Sequence, residues 1–537
     1  MRSIDGQLLK SMLISGSNNL YNHYPEIDAL NVFPVPDGDT GMNMNLTLTS
    51  GAKEIQNRND EDVYNIANLF SRGLLMGARG NSGVITSQIF RGFSASLKDK
   101  KTISINDFAD AFSNGSKVAY KAVMRPVEGT ILTVIRESSE ALNGSISDFS
   151  SIEKAMEFLL KEARKSLERT PELLPVLKEV GVVDSGGAGL VKILEGMASA
   201  LKGKFIEKKL VTSIEQKEPT NGEGYQVSFD LILGSHEEKK SFLESRFVSS
   251  LEGQGQNVQV KRIDKNVNVS IVTDTPGAIF TYAQNFGEFI NVVVKNLKVN
   301  NEDDKKEDKN PPKPVLEKES AMVAVSSGKG IDEYFKNLGV NEIVSGGQTM
   351  NPSTEDIVLA IRNTKAKTVY VLPNNSNIVM ASFQASDVLQ DEIDVRVITT
   401  KTIPQGIVAA STFNPDASVD ENVKTMKESY ANLKSGSITY AIKDTVIDGF
   451  EVTKDYYIGI FDKKIVVCMK NKISSLLELL DKMIDEESFL VTIFIGEDVS
   501  NKEEENLKEK LTIKYPELEF DILRGEQPVY SFLVGVE

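Results

Sequence analysis

Two carboxylates separated by one glycine, Asp37 and Asp39, lie in the segment NVFPVPDGDTGMNMN at residues 31–45, just after Pro34 and Pro36. Alternate residues of an extended loop project to one side, so this pair and the amide oxygen of Asn31 make an oxygen-rich cluster suited to Mg²⁺. Mg²⁺ keeps waters and takes the rest of its shell from phosphates, so such a cluster beside glycine amides points to nucleotide chemistry. The competing reading is a turn, because Asp-Gly-Asp is good Asx-turn chemistry without any ligand. A second segment, GLLMGARGNSGVITSQIFRGF at 73–93, sets Gly77, Gly80 and Gly83 around Arg79, Asn81 and Ser82 and runs into the helical face Val84, Ile85, Gln88 and Ile89. Small residues entering a helix offer backbone N–H groups and a positive dipole end to phosphate. A plain glycine-rich helix connection is the alternative. Neither GxxxxGK[ST] nor the protein-kinase signature set occurs, so phosphoryl transfer would need another architecture.

Composition narrows the chemistry further. With 2 His and 1 Cys, Cys468, the chain has no intramolecular disulfide, no cysteine-rich zinc site and almost no scope for histidine pairs. Carboxylates, amides, hydroxyls, backbone and bound metal must carry any reaction. A formal net charge of −16 repels nucleic-acid phosphates and anionic lipid headgroups, so neither is an expected partner. No apolar run approaches a membrane span, and Asp5 and Lys10 interrupt what would be a signal peptide's apolar region, so a cytoplasmic protein is expected.

The elements that must position these residues fall into blocks. At 537 residues, about three or four domains are expected. Up to residue 205 the spacing is helical, with Ile4, Leu8, Leu9, Met12 and Leu13 on one face, Val63, Ile66, Ala67, Phe70 and Leu74 on another, and Ile152, Ala155, Met156, Leu159, Leu160 and Ala163 on a third. This predicts an all-helical first domain, 1–205, interrupted by glycine-rich loops at 37–41, 77–83 and 184–189. A small α+β domain follows at 206–299, with strands at 227–233 and 267–273 and helix-like stretches at 237–251 and 277–289. Residues 300–320 read as a charged, proline-containing linker. The remainder, 321–537, alternates strand and helix patterns and predicts an α/β domain with parallel βαβ units. Its loops Ser326–Lys329, Gly346–Thr349, Asn374–Ser376 and Lys401–Thr402 follow predicted strands, where open parallel sheets gather ligands, although ordinary turn chemistry explains each one separately.

NVFPVPDGDTGMNM, GARGNSG, RPVEGTILTVIRE (125–137), GVVDSGGAGL (181–190), GGQTMNPSTEDI (346–357), LPNNSNI (372–378) and KTIPQG (401–406) together resemble, in order, the large subunit of bacterial fatty acid kinase. That subunit's first domain is of the DhaL type found in dihydroxyacetone kinase. The resemblance implies a helical nucleotide-binding barrel, ATP and Mg²⁺, and γ-phosphoryl transfer to a fatty acid presented by a separate DegV-like protein. The product would be an acyl phosphate for phospholipid synthesis. It also implies a homodimer, and it suggests that the C-terminal domain docks the partner.

Carried over residue by residue, the resemblance makes Asp37 and Asp39 the metal ligands, with Asn31 standing where sugar kinases have a further aspartate. Thr40 replaces the histidine of those kinases, which weighs against a triose substrate. Thr40, Gly41, Asn43, Gly80, Asn81, Ser82, Gly83, Glu128, Thr130, Asp184, Gly186 and Gly187 fall at nucleotide-contacting or supporting positions, with Arg79 or Ser82 on the transferring group; a helix-terminal cap or ion pair is the alternative for Arg79, and a turn residue for Glu128. Relatives can carry a possible zinc constellation in the middle domain, but here VNVSIVT has Ser270 and Val272, and EGYQV has Gln226, so no zinc is expected. His236 reads as a surface histidine. A fatty acid is already ionised at pH 7 and needs no general base, which agrees with the scarcity of histidine. The competing functions are a kinase for a small hydroxylated substrate and a nucleotide-sensing scaffold without turnover.

Overall fold

The structure is a computed structural model that describes residues 3–32, 38–209, 225–233, 247–248, 251, 255–263, 266–273, 276–284, 286–296, 316–347, 351–441, 444–447 and 450–537. Asp37, His236, the polar segment 213–224, most of the 237–251 stretch and residues 300–315 of the expected linker lie outside the described residues.

Among the described residues, ten helices build the first region: α1 (Gly6–Asp28), α2 (Thr40–Gln56), α3 (Val63–Gly77), α4 (Gly80–Ser96), α5 (Ile105–Ala122), α6 (Ile131–Gly144), α7 (Ile152–Glu168), the short α8 (Thr170–Leu173) and α9 (Pro175–Val180), and α10 (Ser185–Leu201). Their starts follow local chemistry. Asp5 caps α1 by accepting from Leu8 N at 2.8 Å, and Ser104 with Asp107 forms a capping box on α5. From α1 to α7 each helix packs on the next, α7 packs on α10, and α10 returns to α1, so the ring closes around one apolar core. The three faces read from the sequence point into that core, with Leu8 only partly buried. Phe70, Phe90, Phe93, Phe112 and Phe108 pack ring against ring through it, mostly edge to face.

The expected loop at 184–189 is instead the opening of α10. α10 comes close to α2 there: a Cβ on Gly189 would lie 2.6 Å from Met44 Sδ and would push the flexible end of that side chain aside. Likewise Gly80–Gly83 and Thr40–Gly41 are first turns of helices rather than loops.

Residues 211–312 form their own compact unit. Four antiparallel strands, β1 (Tyr225–Leu233), β2 (Gln256–Ile263), β3 (Asn266–Thr273) and β4 (Gly287–Asn296), are ordered β2-β3-β1-β4. Val227, Phe229 and Leu231 on β1 and Val267, Val269 and Ile271 on β3 alternate into one core, as period-2 patterning requires. The helix-like reading of 277–289 fails beyond Ala283: the helix is Pro276–Ala283, and Gly287 begins β4, whose INVVV run is β-branched and pairs with β1. β2 carries no clear strand signal, because its QNVQVKRI sequence is largely polar.

The last region is built on two sheets. β5 (Lys318–Ser326), β6 (Glu342–Ser345), β7 (Ala366–Leu372) and β8 (Asp394–Val397) form a parallel sheet ordered β6-β5-β7-β8, with helices between the strands. Lys318 and Ser320, read from sequence as the end of the linker, already pair with Ala366 and Thr368 of β7. The second sheet joins β9 (Lys434–Tyr440), β12 (Tyr457–Phe461), β13 (Lys464–Met469), β14 (Leu490–Ile495), β15 (Glu519–Arg524) and β16 (Tyr530–Val536) in the order β13-β12-β9-β16-β14-β15. Within it only β14 and β15 run parallel. Between β9 and β12 the chain forms a small antiparallel pair, β10 (Thr445–Ile447) with β11 (Phe450–Val452). The helical ring and this α/β region belong to one compact unit, residues 1–210 with 313–537.

Candidate nucleotide site at the joined helix N-termini

Four helix N-termini are linked pairwise. Asp39 is the N-cap of α2 but makes no side-chain cap; Asp28, at the end of α1, takes that role, its Oδ1 accepting from Gly41 N at 2.7 Å and Met42 N at 3.1 Å. Burial pushes the Asp28 carboxyl up, the two N–H bonds oppose the push, and the nearby Asp39 charge adds to it. With its helix capped by another residue, Asp39 turns its Oδ2 to the Asn351 side-chain amide, which donates at 2.6 Å. Asn31 is buried close by in sequence, its backbone N donating to Asp28 O at 3.1 Å.

α4 is joined to α2 through Asn43 and Thr47. Thr47 Oγ1 donates to Asn43 O at 2.7 Å and accepts from Arg79 N at 3.2 Å. Gly80 stands at φ +59°, and a Cβ there would meet Asn43 Nδ2 at 2.6 Å. Gly83 faces Thr47 Oγ1 in the same way. α10 is joined to α2 by Ser185 Oγ on Thr40 Oγ1 at 3.3 Å, and to α6 by Asp184, whose carboxylate accepts from Gly187 N at 2.7 Å and from the backbone of Ile131. Gly186 and Gly187 lie against Ile131 and Val134. Burial pushes the Asp184 carboxyl up to about 6, against the two N–H bonds. The starts of α2, α4, α6 and α10 thus share one end of the ring, where dipoles and amides favour an anion.

The remaining predicted residues are placed as follows. Arg79 is tied across a seam: Nη1 donates to Asn351 O at 2.7 Å and Nη2 lies 3.6 Å from Asp356 Oδ2. Asn81 Nδ2 donates to Asn377 Oδ1 at 3.1 Å, while Ser82 is half-buried with its carbonyl accepting from Thr86. Glu128 accepts from Tyr120, Thr133 and Arg136; burial would raise its carboxyl, but these bonds hold it below the usual carboxylate range. Thr130 precedes α6 and donates to Val127 O. Glu128 and Thr130 are thus bonded to α5, α6 and the turn before α6, and neither bonds to the Asp39–Asn351 pair.

Sequence reasoning missed the residues that bring the α/β region onto this end. Thr354 N donates to Ala78 O at 3.1 Å. Gln384 donates to Leu75 O at 2.6 Å and accepts from Ser87 Oγ at 3.1 Å and Gln88 Nε2 at 2.9 Å. Ala78 and Val84 are buried in the α/β core beside Val323, Ile357 and Ala381. Asn351 and Asn377 stand in the loops after β6 and β7, so the carboxyl end of the parallel sheet meets the α4 start. Asn374, in one of the loops expected to gather a ligand, is bonded within the protein, donating to Val325 O at 2.9 Å and accepting from Thr400 Oγ1 at 2.7 Å. The signal for Asn351 is the NPSTED stretch, an asparagine just ahead of the Ser353–Asp356 capping box.

Among the described residues no group of three or more His, Cys, Asp or Glu side chains forms a metal cluster, and Asp37 lies outside them. The donor chemistry nevertheless fits a hydrated divalent cation. Asn351 Oδ1 is buried with no protein partner among the described residues, in the same amide that donates to Asp39, and a lone amide oxygen beside a carboxylate suits Mg²⁺ and its waters.

The family model of the DAK2 domain matches residues 34–199, most of the closed helical ring, and places the chain with kinase-like proteins. The middle-domain and C-terminal models of the FakA-like fatty acid kinase family match residues 223–304 and 321–537. Uncharacterized proteins of Staphylococcus aureus strains USA300 and NCTC 8325 are 42% identical over 547 residues, covering 99% of each chain. The chain belongs to the FakA-like fatty acid kinase family. Among solved structures, a DegV family protein of Corynebacterium glutamicum covers 41% of this chain and 96% of its own, at 15% identity and a TM-score of 0.31. The fatty acid kinase B3 protein of Streptococcus pneumoniae, loaded with linoleic acid, covers 41% and 99% at 12% identity and a TM-score of 0.29. Among the described residues no helix is long and apolar enough to cross a membrane.

Proposed function

We propose that this protein is the catalytic component of a two-protein fatty acid kinase: it transfers the γ-phosphoryl of ATP to a fatty acid carboxylate held by a separate, DegV-like fatty-acid-binding protein. The carboxylate oxygen forms the new bond to phosphorus, the bond to the β,γ-bridging oxygen breaks, and ADP and acyl phosphate leave. No proton has to move, so no histidine is needed. The observation that carries the reading is the junction of four helix N-termini beside Asp39 in a member of this family.

In this reading Asp37 and Asp39, with Asn31 beside them, hold Mg²⁺, and Thr40, Gly41, Asn43, Gly80, Asn81, Ser82 and Gly83 line the phosphates. Mg²⁺ when bound neutralises charge on the β- and γ-phosphates. Asp184, Gly186 and Gly187 fix the α6 and α10 starts, and Glu128 with Thr130 supports the turn before α6. Arg79 links the α4 start to the α/β region and brings positive charge to the same end. A buried acyl chain does not readily leave its carrier for water, which favours docking of a loaded partner over diffusion of free fatty acid. The enzyme is cytoplasmic and self-associating in this reading. β4 supports the second point: among the described strands it lies at the edge of its sheet and exposes Val292, Val293 and Val294, an arrangement that invites pairing.

Labelled ATP, Mg²⁺, oleate or palmitate and a co-purified fatty-acid-binding partner provide the test, with hydroxylamine trapping the acyl phosphate. Product from wild type and none from Asp37→Ala or Asp39→Ala is the expected result. Binding of loaded partner without acyl phosphate, and with a triose also untouched, would replace the kinase with a scaffold.

A further inference from the structure

The site predicted on the helical ring and the loops at the carboxyl end of the parallel sheet meet at one residue. Asn351 lies in the loop after β6, is 3% exposed, and makes two contacts across the seam: its side-chain amide donates to Asp39 Oδ2 at 2.6 Å, and its carbonyl accepts from Arg79 Nη1 at 2.7 Å. One asparagine therefore restrains both the carboxylate of the DGD segment and the residue that opens α4.

Its third polar atom is the independent observation. Asn351 Oδ1 is buried and has no partner among the described residues, although nearly all such atoms in folded proteins find one. It belongs to the same planar amide whose Nδ2 touches Asp39, so a buried acceptor without a protein partner lies within one side-chain amide of that carboxylate. Such an acceptor is costly unless water or a hydrated cation meets it.

We propose that Asn351, supplied by the α/β region, is a positioning residue for the metal–nucleotide site of the helical ring: it fixes the rotamer of Asp39 through Nδ2 and turns Oδ1 to the ion's hydration shell. The inference rests on the kinase reading above. The α/β region then does more than dock a partner, because the helical ring alone lacks one hydrogen-bond donor that orients its metal ligand. Outer-shell partners of metal-ligating groups typically contribute roughly 10–100-fold in metal affinity, and that is the effect expected here.

The test uses the full chain, Mn²⁺ as the probe, and a non-hydrolysable ATP analogue, with free Mn²⁺ followed by its electron paramagnetic resonance signal. Asn351→Ala and the near-isosteric Asn351→Leu are both expected to weaken Mn²⁺ binding by roughly 10–100-fold. Gln384→Ala, which loosens the same seam without touching Asp39, is expected to stay within about threefold of wild type, below the outer-shell range. Wild-type affinity in both Asn351 variants, or an equal loss in Gln384→Ala, would overturn the assignment. Absence of saturable Mn²⁺ binding in the wild type itself would instead remove the metal-site reading on which the assignment stands.

Discussion

Asp184 offers the sharpest thermodynamic test of the helix-terminus arrangement. Its carboxyl is fully buried between the starts of α6 and α10 and is pushed up to about 6, from an ordinary value of 3.8. Between these two values the folded protein holds a proton that the unfolded chain has released, so stability falls as pH rises through this window and is level above it. The span is 6 − 3.8, about two units, so ionised Asp184 costs at most about 3 kcal/mol at neutral pH. Asp184→Asn keeps an oxygen that accepts from Gly187 N and removes the charge. The difference in melting temperature, variant minus wild type, should climb between about pH 4 and pH 6 and then flatten. For the compact unit of 1–210 with 313–537, at roughly 2.1 cal/mol/K per residue, the climb would be up to about 3 °C. Thermal unfolding followed by circular dichroism across that range gives the curve directly. A difference that is flat from about pH 4 to pH 7, or that falls, would refute the claim that burial governs this carboxyl.

Gly80→Ala places a side chain at φ +59° with its Cβ 2.6 Å from Asn43 Nδ2, so backbone strain and a displaced Asn43 should together cost about 2–5 kcal/mol and weaken nucleotide binding at least about tenfold. Calorimetric titration of the ATP analogue checks this, and unchanged affinity would show that the α4 start does not hold phosphate. Gln384→Ala leaves the Leu75 carbonyl and the Gln88 amide without their buried partner, at about 1–3 kcal/mol for each group. Hydrogen exchange should rise locally in the α3–α4 connection; protection equal to wild type would mean that water replaces the lost amide. Glu128→Gln weakens contacts to Arg136 and Thr133 on a half-exposed surface, so a loss of about 1 kcal/mol or less is expected, with nucleotide affinity retained. A large drop in affinity would move Glu128 into the site.

Much is legible in the sequence because it is written in short-range physics. The helical ring follows from apolar spacing near 3.6, as at Val63, Ile66, Phe70 and Leu74, and the parallel sheet follows from β-branched runs separated by helical stretches. Asp39, Gly80 and Asp184 stand out by type and spacing, although an acid at a helix start is also the ordinary N-cap, the role Asp184 takes on α10. Boundaries are harder. The glycines of α10 read as a loop unless Met44 is known to lie against Gly189, and Gly287–Phe289 read as the end of a helix unless β1 is available to pair with them. The tertiary partner overrides the local preference at Gly287–Phe289, which close the helix-like stretch 277–289 and pair with β1, whereas the β-branched valines after them favour a strand on their own.

The chain by itself thus determined most element types, the limits on chemistry imposed by two histidines and one cysteine, and a set of candidate residues for a phosphorylated ligand. Tertiary structure decided which of these residues act together. Asp28 caps the helix that Asp39 opens, Asp184 reaches back from the α10 start to Ile131 on α6, and Asn351 crosses 312 positions to meet Asp39. No periodicity encodes such contacts, because each depends on how two separately formed elements pack, and packing is set by the shapes of whole faces rather than by the spacing of residues along the chain.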